Sequence, residues 1–374
     1  MSVEKIFEEM LLKAVHGAAT GLDEDQMRRG LDGVLFGEAM VETVPEVAEI
    51  LVESLFEAAP DMLAERAGPE AVTRQQVRGV FGPGLDICEM LLRIASEMGE
   101  EFTDVEFGSN DSIPIMPYTL AHLLARTCRI AEETLMLLKH GWGLGAYARW
   151  RAMHEVGVFA SFIGDHGEET ARRFVEHQPV QRWRILRGER ARLETAEQDL
   201  SDDLLEELAD LDRRINDLVE DLGRVFLTDY GWAAQALRIS ADSTRGPTMH
   251  AIEEHAGFGH LRRYYREASA SVHPAAAAVL VPDDATLMGS TLLTAPSLGG
   301  LVTPAHAMCL TLTNTTAVVL LSRDSWAAPF VIQTMVNLSE RAAQELQAAW
   351  NGYETQILAE MEREESADDQ GSRD

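Results

Sequence analysis

Lysine is nearly missing from this chain: Lys5, Lys13 and Lys139 are the only ones, and arginine supplies every other basic side chain. The 32 basic residues stand against 62 acidic ones, a formal charge of -30. A surface of that sign repels nucleic-acid phosphates unless arginines gather into a patch, and it favours basic partners. Cysteine is scarce too. Cys88, Cys128 and Cys309 are odd in number, far apart and set in apolar stretches, which speaks against a disulfide framework or a zinc site and for small core residues. Strand-like alternation is scarce, and VLVP at 279–282 is the nearest case. The longest apolar run, 305–321, is interrupted by Thr311, Thr313, Asn314, Thr315 and Thr316, so no membrane span is expected. Residues 1–20 show no basic-then-apolar leader pattern, and a cytoplasmic location is expected.

Several chemical signatures are missing as well. The sequence has no glycine-rich phosphate loop, no nucleophile-elbow serine, no HExxH and no paired Glu-x-x-His elements. No cofactor and no metal are expected. His250, Glu253, Glu254 and His255 lie close together, but not at a metal-binding spacing.

What the sequence does have is helical periodicity almost throughout, so the expected fold is all-α: a multi-helix bundle with a long helix or helical arm and a helical N-terminal extension. The apolar share of 46% suits a folded protein, and 374 residues are more than one typical core holds. Residues 2–16 and 45–66 read as amphipathic helices, the second with Val47, Ile50, Leu51, Leu55 and Leu63 inward, and Pro83-Gly84 opens another. The extension covers 1–100, and the polar stretch EFTDVEFGSNDSIPIMP at 101–117 reads as a linker. A helical core domain follows over 118–361, and residues 362–374 form a disordered acidic tail. Inside the core the pattern gives helices at 118–139, 146–164 and 168–177, then one long helix at about 181–226. On that helix Leu204, Leu208, Leu211, Ile215, Leu218, Leu222 and Val225 form a heptad-like stripe, suited to an antiparallel arm, an oligomer contact or packing within the bundle. Thr303-Pro304 reads as the cap and first residue of a further helix.

One stretch carries the most chemistry. In YYREASASVH (264–273), a helix places Tyr265, Ser269 and His273 four apart on one face, with Arg266 seven before His273. In ARWRAMHE (148–155), Arg151 and Glu155 are four apart and can pair directly, on a face that continues into apolar residues. Tyr230 and Trp232 in DYGWAAQAL are expected to anchor the loop after the long helix.

The order RxxxE (151–155), DYGWAA (229–234), IEEHAGFGHLRRYY (252–265), YxxxSxxxH (265–273) and TPAHAMCLTLTN (303–314) resembles a bacterial family catalogued as a domain of unknown function, family 5677. The resemblance covers roughly 115–345 and implies an all-helical domain with no established activity. A second resemblance concerns chemistry. Arg266 and His273, with six residues between them, are similar to the arginine–histidine signature of HEPN ribonucleases, although Glu267 stands where those motifs more often carry Asn, Asp or His. Such enzymes cut RNA without metal. Histidine acts as acid or base and arginine steadies the phosphorane charge.

Two functions follow. One is a scaffold, regulator or effector subunit of a defence or stress system, its acidic surface meeting a basic protein. The other is a metal-independent endoribonuclease with Arg266 and His273 catalytic, Ser269 and Tyr265 holding phosphate, and Arg151, Glu155, Tyr230 and Trp232 in support. A local basic patch separates the two; Arg182, Arg184, Arg187, Arg190, Arg192, Arg262, Arg263 and Arg266 are its candidates. A homo-oligomer, with a dimer favoured, is the expected assembly, and the partner is a protein or RNA.

Overall fold

The computed structural model describes residues 38–107, 114–272, 295–323 and 325–371. The expected helix at 2–16, the strand-like 279–282 and His273 lie outside the described residues. Among these residues every regular element is helical: α1 (Glu38–Phe107), α2 (Ile115–Lys139), α3 (Gly143–His166), α4 (Glu168–Glu176), α5 (Gln178–Thr195), α6 (Asp202–Leu222), α7 (Met249–His255), α8 (Arg262–Val272), α9 (Val302–Leu321) and α10 (Ala328–Gly371), with 3-10 turns at Arg224–Leu227, Gly231–Ala233 and Gly259–Leu261.

The chain divides into two compact units, Met1–Val72 and Thr73–Asp374. In the first, the described part of α1 exposes Val52, Phe56 and Leu63. Leu63 was expected to face inward. In the second unit, α1 does not restart at Pro83. Proline removes a backbone donor and crowds the preceding turn, yet Val77, Phe81, Leu85, Cys88 and Leu91 remain one buried stripe on both sides of it. Packing of that stripe keeps the helix continuous. Gly84 lies against Leu346 of α10, so close that a Cβ would stand 2.6 Å from its side chain. Residues 73–100 therefore belong to the larger core, and α1 runs on to Phe107 through the start of the expected linker.

At the centre of that core lies α3, packed by α2, α8 and α9; α9 in turn meets α2 and α10. Burial on all sides explains why α3 and α9 carry few charges. Among the described residues α9 is the one helix long and apolar enough to cross a membrane, and 67% of its apolar window is buried in the protein. Three of its threonines return their hydroxyls to the backbone: Thr311, Thr315 and Thr316 each donate to the carbonyl four residues earlier, at 2.8–2.9 Å, while the buried Thr313 hydroxyl has no such partner. The helix begins at Val302, one residue before the expected cap, and Thr303 caps nothing with its side chain.

Residues 181–226 are not one long helix. The chain turns at 196–201, where Glu197 takes a positive φ of 55° and Ser201 opens α6 ahead of Asp202 and Asp203. The acidic first turn suits the positive end of the helix dipole. The result is an antiparallel hairpin. Arg182 of α5 holds Glu207 of α6 at 2.6 and 2.7 Å, and the Trp183 indole donates to Asp212 at 2.7 Å. Leu186, Leu200 and Leu208 form a small core of its own, flanked by Leu193, Leu204 and Leu211. Farther along α6, Ile215 and Leu218 join the main core. The heptad stripe is spent inside the chain. At the C-terminus α10 continues through Gly371, over most of the expected tail.

Candidate functional site

The polar cluster forms where α8 crosses α3. Tyr265 and Ser269 lie one turn apart on the inner face of α8, opposite Arg151 and Glu155, also one turn apart on α3. The Arg151 Nε donates to Ser269 Oγ at 2.9 Å and one terminal nitrogen donates to the Tyr265 hydroxyl at 2.8 Å. The other terminal nitrogen sits 3.0 Å from Glu155 Oε1. The Tyr265 hydroxyl donates to the same carboxylate oxygen at 2.7 Å, and Ser269 donates to the Tyr265 carbonyl at 2.8 Å. The guanidinium also lies over the Tyr265 ring, 4.8 Å from its centre. Burial pushes the Tyr265 phenol well above its ordinary range, and its bond to the Glu155 carboxylate adds to that. It stays protonated and donating. Half-buried Tyr230 is raised as well, by burial and then by the nearby Glu155 and Asp229 carboxylates.

Beneath this cluster is a second pair that sequence reasoning missed. His154 Nε2 and Glu253 Oε1 are 2.8 Å apart, and both side chains are fully buried. Glu253, on α7, also accepts from Arg262 at 2.6 Å. Burial disfavours the Glu253 charge, but the bonds from His154 and Arg262 outweigh it and hold the carboxyl below its ordinary value of 4.5. The His154 ring is enclosed by Trp150, Phe258 and Tyr265, at centre-to-centre distances of 5.2, 5.5 and 5.2 Å, and its Nδ1 has no hydrogen-bond partner. The signal was present in the sequence. His154 interrupts an otherwise apolar face made by Trp150, Met153 and Val158, and a titratable residue there needs a buried partner.

The other expected site residues part company. Trp232 is buried edge-on against Phe159, Phe162 and Phe174, so it anchors the loop, while Tyr230 touches Phe159 alone among these rings. Arg266 is exposed on α8 and shares none of the contacts of the cluster. Of the eight expected site residues, Arg151, Glu155, Tyr265 and Ser269 meet; His273 lies outside the described residues. Among those residues no group of three or more His, Cys, Asp or Glu side chains could hold a metal ion.

In chemical terms the cluster is a clasp. Every nitrogen of the Arg151 guanidinium has an internal partner, and Glu155 and Glu253 each neutralise a cation of this chain. The fold and this clasp define an all-helical protein whose central helix is bound to its neighbours by buried polar contacts. Residues 118–283 match the family model described as "Family of unknown function (DUF5677)", so the chain carries a domain of that family spanning the clasp. No curated protein and no solved structure matches the chain.

Proposed function

We propose that this protein is a non-catalytic helical scaffold or regulator, working in the cytoplasm through a basic protein partner. The observation that carries this reading is the state of the arginines. The two arginine-rich runs that would make a basic patch are largely neutralised by carboxylates of the chain itself. Arg182 pairs with Glu207, Arg184 with Asp229, Arg190 with Glu194 and Arg192 with Glu189. Arg187 is stacked on the Trp183 ring at 4.7 Å. On α8, Arg262 pairs with Glu253 and Arg263 with Glu267. Phosphate binding needs cations whose counterions can be released, and these are already matched. The clasp points the same way, because each nitrogen of its arginine is already held by Ser269, Tyr265 or Glu155, and the adjacent Glu155 carboxylate repels a phosphorane oxygen.

The ribonuclease reading keeps one supporting feature: Arg266 is exposed, on the helix that leads toward His273. Incubating total cellular RNA with the purified full-length chain, metal-free, beside His273→Ala and Arg266→Ala, decides between the two. The scaffold reading expects intact RNA in all three. RNA cut by the wild type and spared by both variants, with circular dichroism unchanged, would overturn it in favour of the nuclease.

A further inference from the structure

We propose that the turn between α9 and α10 is the docking surface for a basic, amphipathic segment of the partner protein. This rests on the scaffold reading and names the surface it uses. Trp326 is 86% exposed and Phe330 70%, with their rings in edge contact at 6.5 Å; Leu321, which closes α9, is 66% exposed. Two large aromatic side chains so exposed and in contact with each other mark an interaction site. Tryptophan and phenylalanine supply much contact area at little cost in rotamer freedom, which suits them as anchors.

The charge around this patch says what covers it. Arg323 ties the turn to the C-terminal end of α1: its guanidinium lies 5.4 Å over the Phe102 ring and 3.4 Å from Glu101. The arginine itself is 15% exposed and Glu101 60%, so the cation is tucked under and the carboxylate shows. Glu100 and Asp104 are exposed beside it. These carboxylates sit near the negative end of a helix dipole, and the last turn of α1 has no basic residue. The surface is therefore an aromatic ledge with a strongly negative rim. A segment presenting apolar residues on one face and Lys or Arg at its edge matches both features. A second copy of this chain, docked through the same surface, does not, because the arginine of that surface, Arg323, is already tucked against Glu101 and the Phe102 ring and offers no exposed cation to the rim.

The test uses the full-length chain and a fluorescein-labelled amphipathic Leu/Lys peptide, read by fluorescence anisotropy. A Leu/Glu peptide of the same pattern is the control. The expected result is salt-sensitive binding of the Leu/Lys peptide, weakened at least about tenfold in Trp326→Ala with Phe330→Ala. Glu101→Gln with Asp104→Asn should weaken it too. Asp203→Asn with Glu206→Gln, which removes the same charge from the hairpin, should leave it unchanged. Equal loss in the hairpin variant, or no loss in the aromatic variant, would overturn the proposal as non-specific charge attraction. Dimerisation or sedimentation with neutral-lipid vesicles that disappears in the aromatic variant would reassign the patch to self-association or lipid. Both aromatic side chains are exposed, so an unchanged circular dichroism spectrum is expected. The RNA assay reads the scaffold hypothesis separately: intact RNA with indifferent peptide binding sinks only the surface.

Discussion

His154 and Glu253 face each other at 2.8 Å across 99 residues of chain, with neither side chain reaching solvent. A buried pair of this kind stabilises little compared with apolar packing, because both groups give up their hydration. Removing one partner is another matter. Glu253→Ala leaves His154 without its bond and Arg262 without its carboxylate.

Glu253→Ala should therefore destabilise the fold by about 3–5 kcal/mol. The double replacement His154→Phe with Glu253→Met should cost less than Glu253→Ala alone, since it leaves no unpaired imidazole in the core, whereas Arg262, which reaches solvent, loses its carboxylate in both. Urea unfolding followed by far-ultraviolet dichroism measures both. A double variant as unstable as Glu253→Ala would mean that the pair contributes net stability beyond the cost of stranding one member.

Gly231 explains why the DYGWAA motif carries a glycine. A Cβ there would stand 2.3 Å from the Phe226 carbonyl oxygen and 2.5 Å from that of Val225. Both are backbone atoms, so no side-chain rotation relieves the clash. Gly231→Ala should cost at the upper end of about 1–3 kcal/mol, and it should also loosen Trp232, the next residue. Thermal unfolding and intrinsic tryptophan fluorescence report the two effects. A variant with wild-type stability would show that the 3-10 turn yields easily and that the motif glycine has another cause.

These two sites show where the sequence was legible. The pairing of Arg151 with Glu155, and of Tyr265 with Ser269, follows from helical spacing, and the structure places both pairs as spacing dictates. That the two pairs face each other does not follow, because 114 residues separate Arg151 from Tyr265 and only the packing of α8 on α3 joins them. The hairpin was hidden for a different reason. ETAEQDLSDD has neither glycine nor proline, so propensity carries a helix straight through it. The turn is won by Trp183, Leu186 and Leu193 meeting the leucines of α6, a tertiary gain that no local window contains. Pro83 misled in the opposite direction: its local signal was a break, and burial of its neighbours overruled it.

Acid should destabilise this protein in two stages. His177 is buried with its Nε2 on the Thr228 carbonyl at 3.0 Å, its ring edge-on to Phe226 and its Nδ1 unpartnered. Burial holds its pKa below the ordinary 6.5 against the opposing pull of the Thr228 and Phe226 backbone carbonyls; Arg184 adds to the lowering and Asp229 opposes it weakly. The unfolded chain then takes up the proton first, so the full stability holds above pH 6.5 and declines as pH falls from there through the folded value. Half-buried His306, also lowered by burial, contributes in the same window. Glu253 acts lower down. Its folded pKa is depressed, so its contribution is complete above 4.5 and is lost as pH drops beneath that. Melting temperature measured across this range should fall first below pH 6.5 and again below 4.5. His177→Gln, which keeps an amide N–H for the Thr228 carbonyl but does not titrate, should flatten the upper stage and leave the lower one intact. An unchanged upper slope in that variant would remove His177 from the account and leave the decline to other histidines.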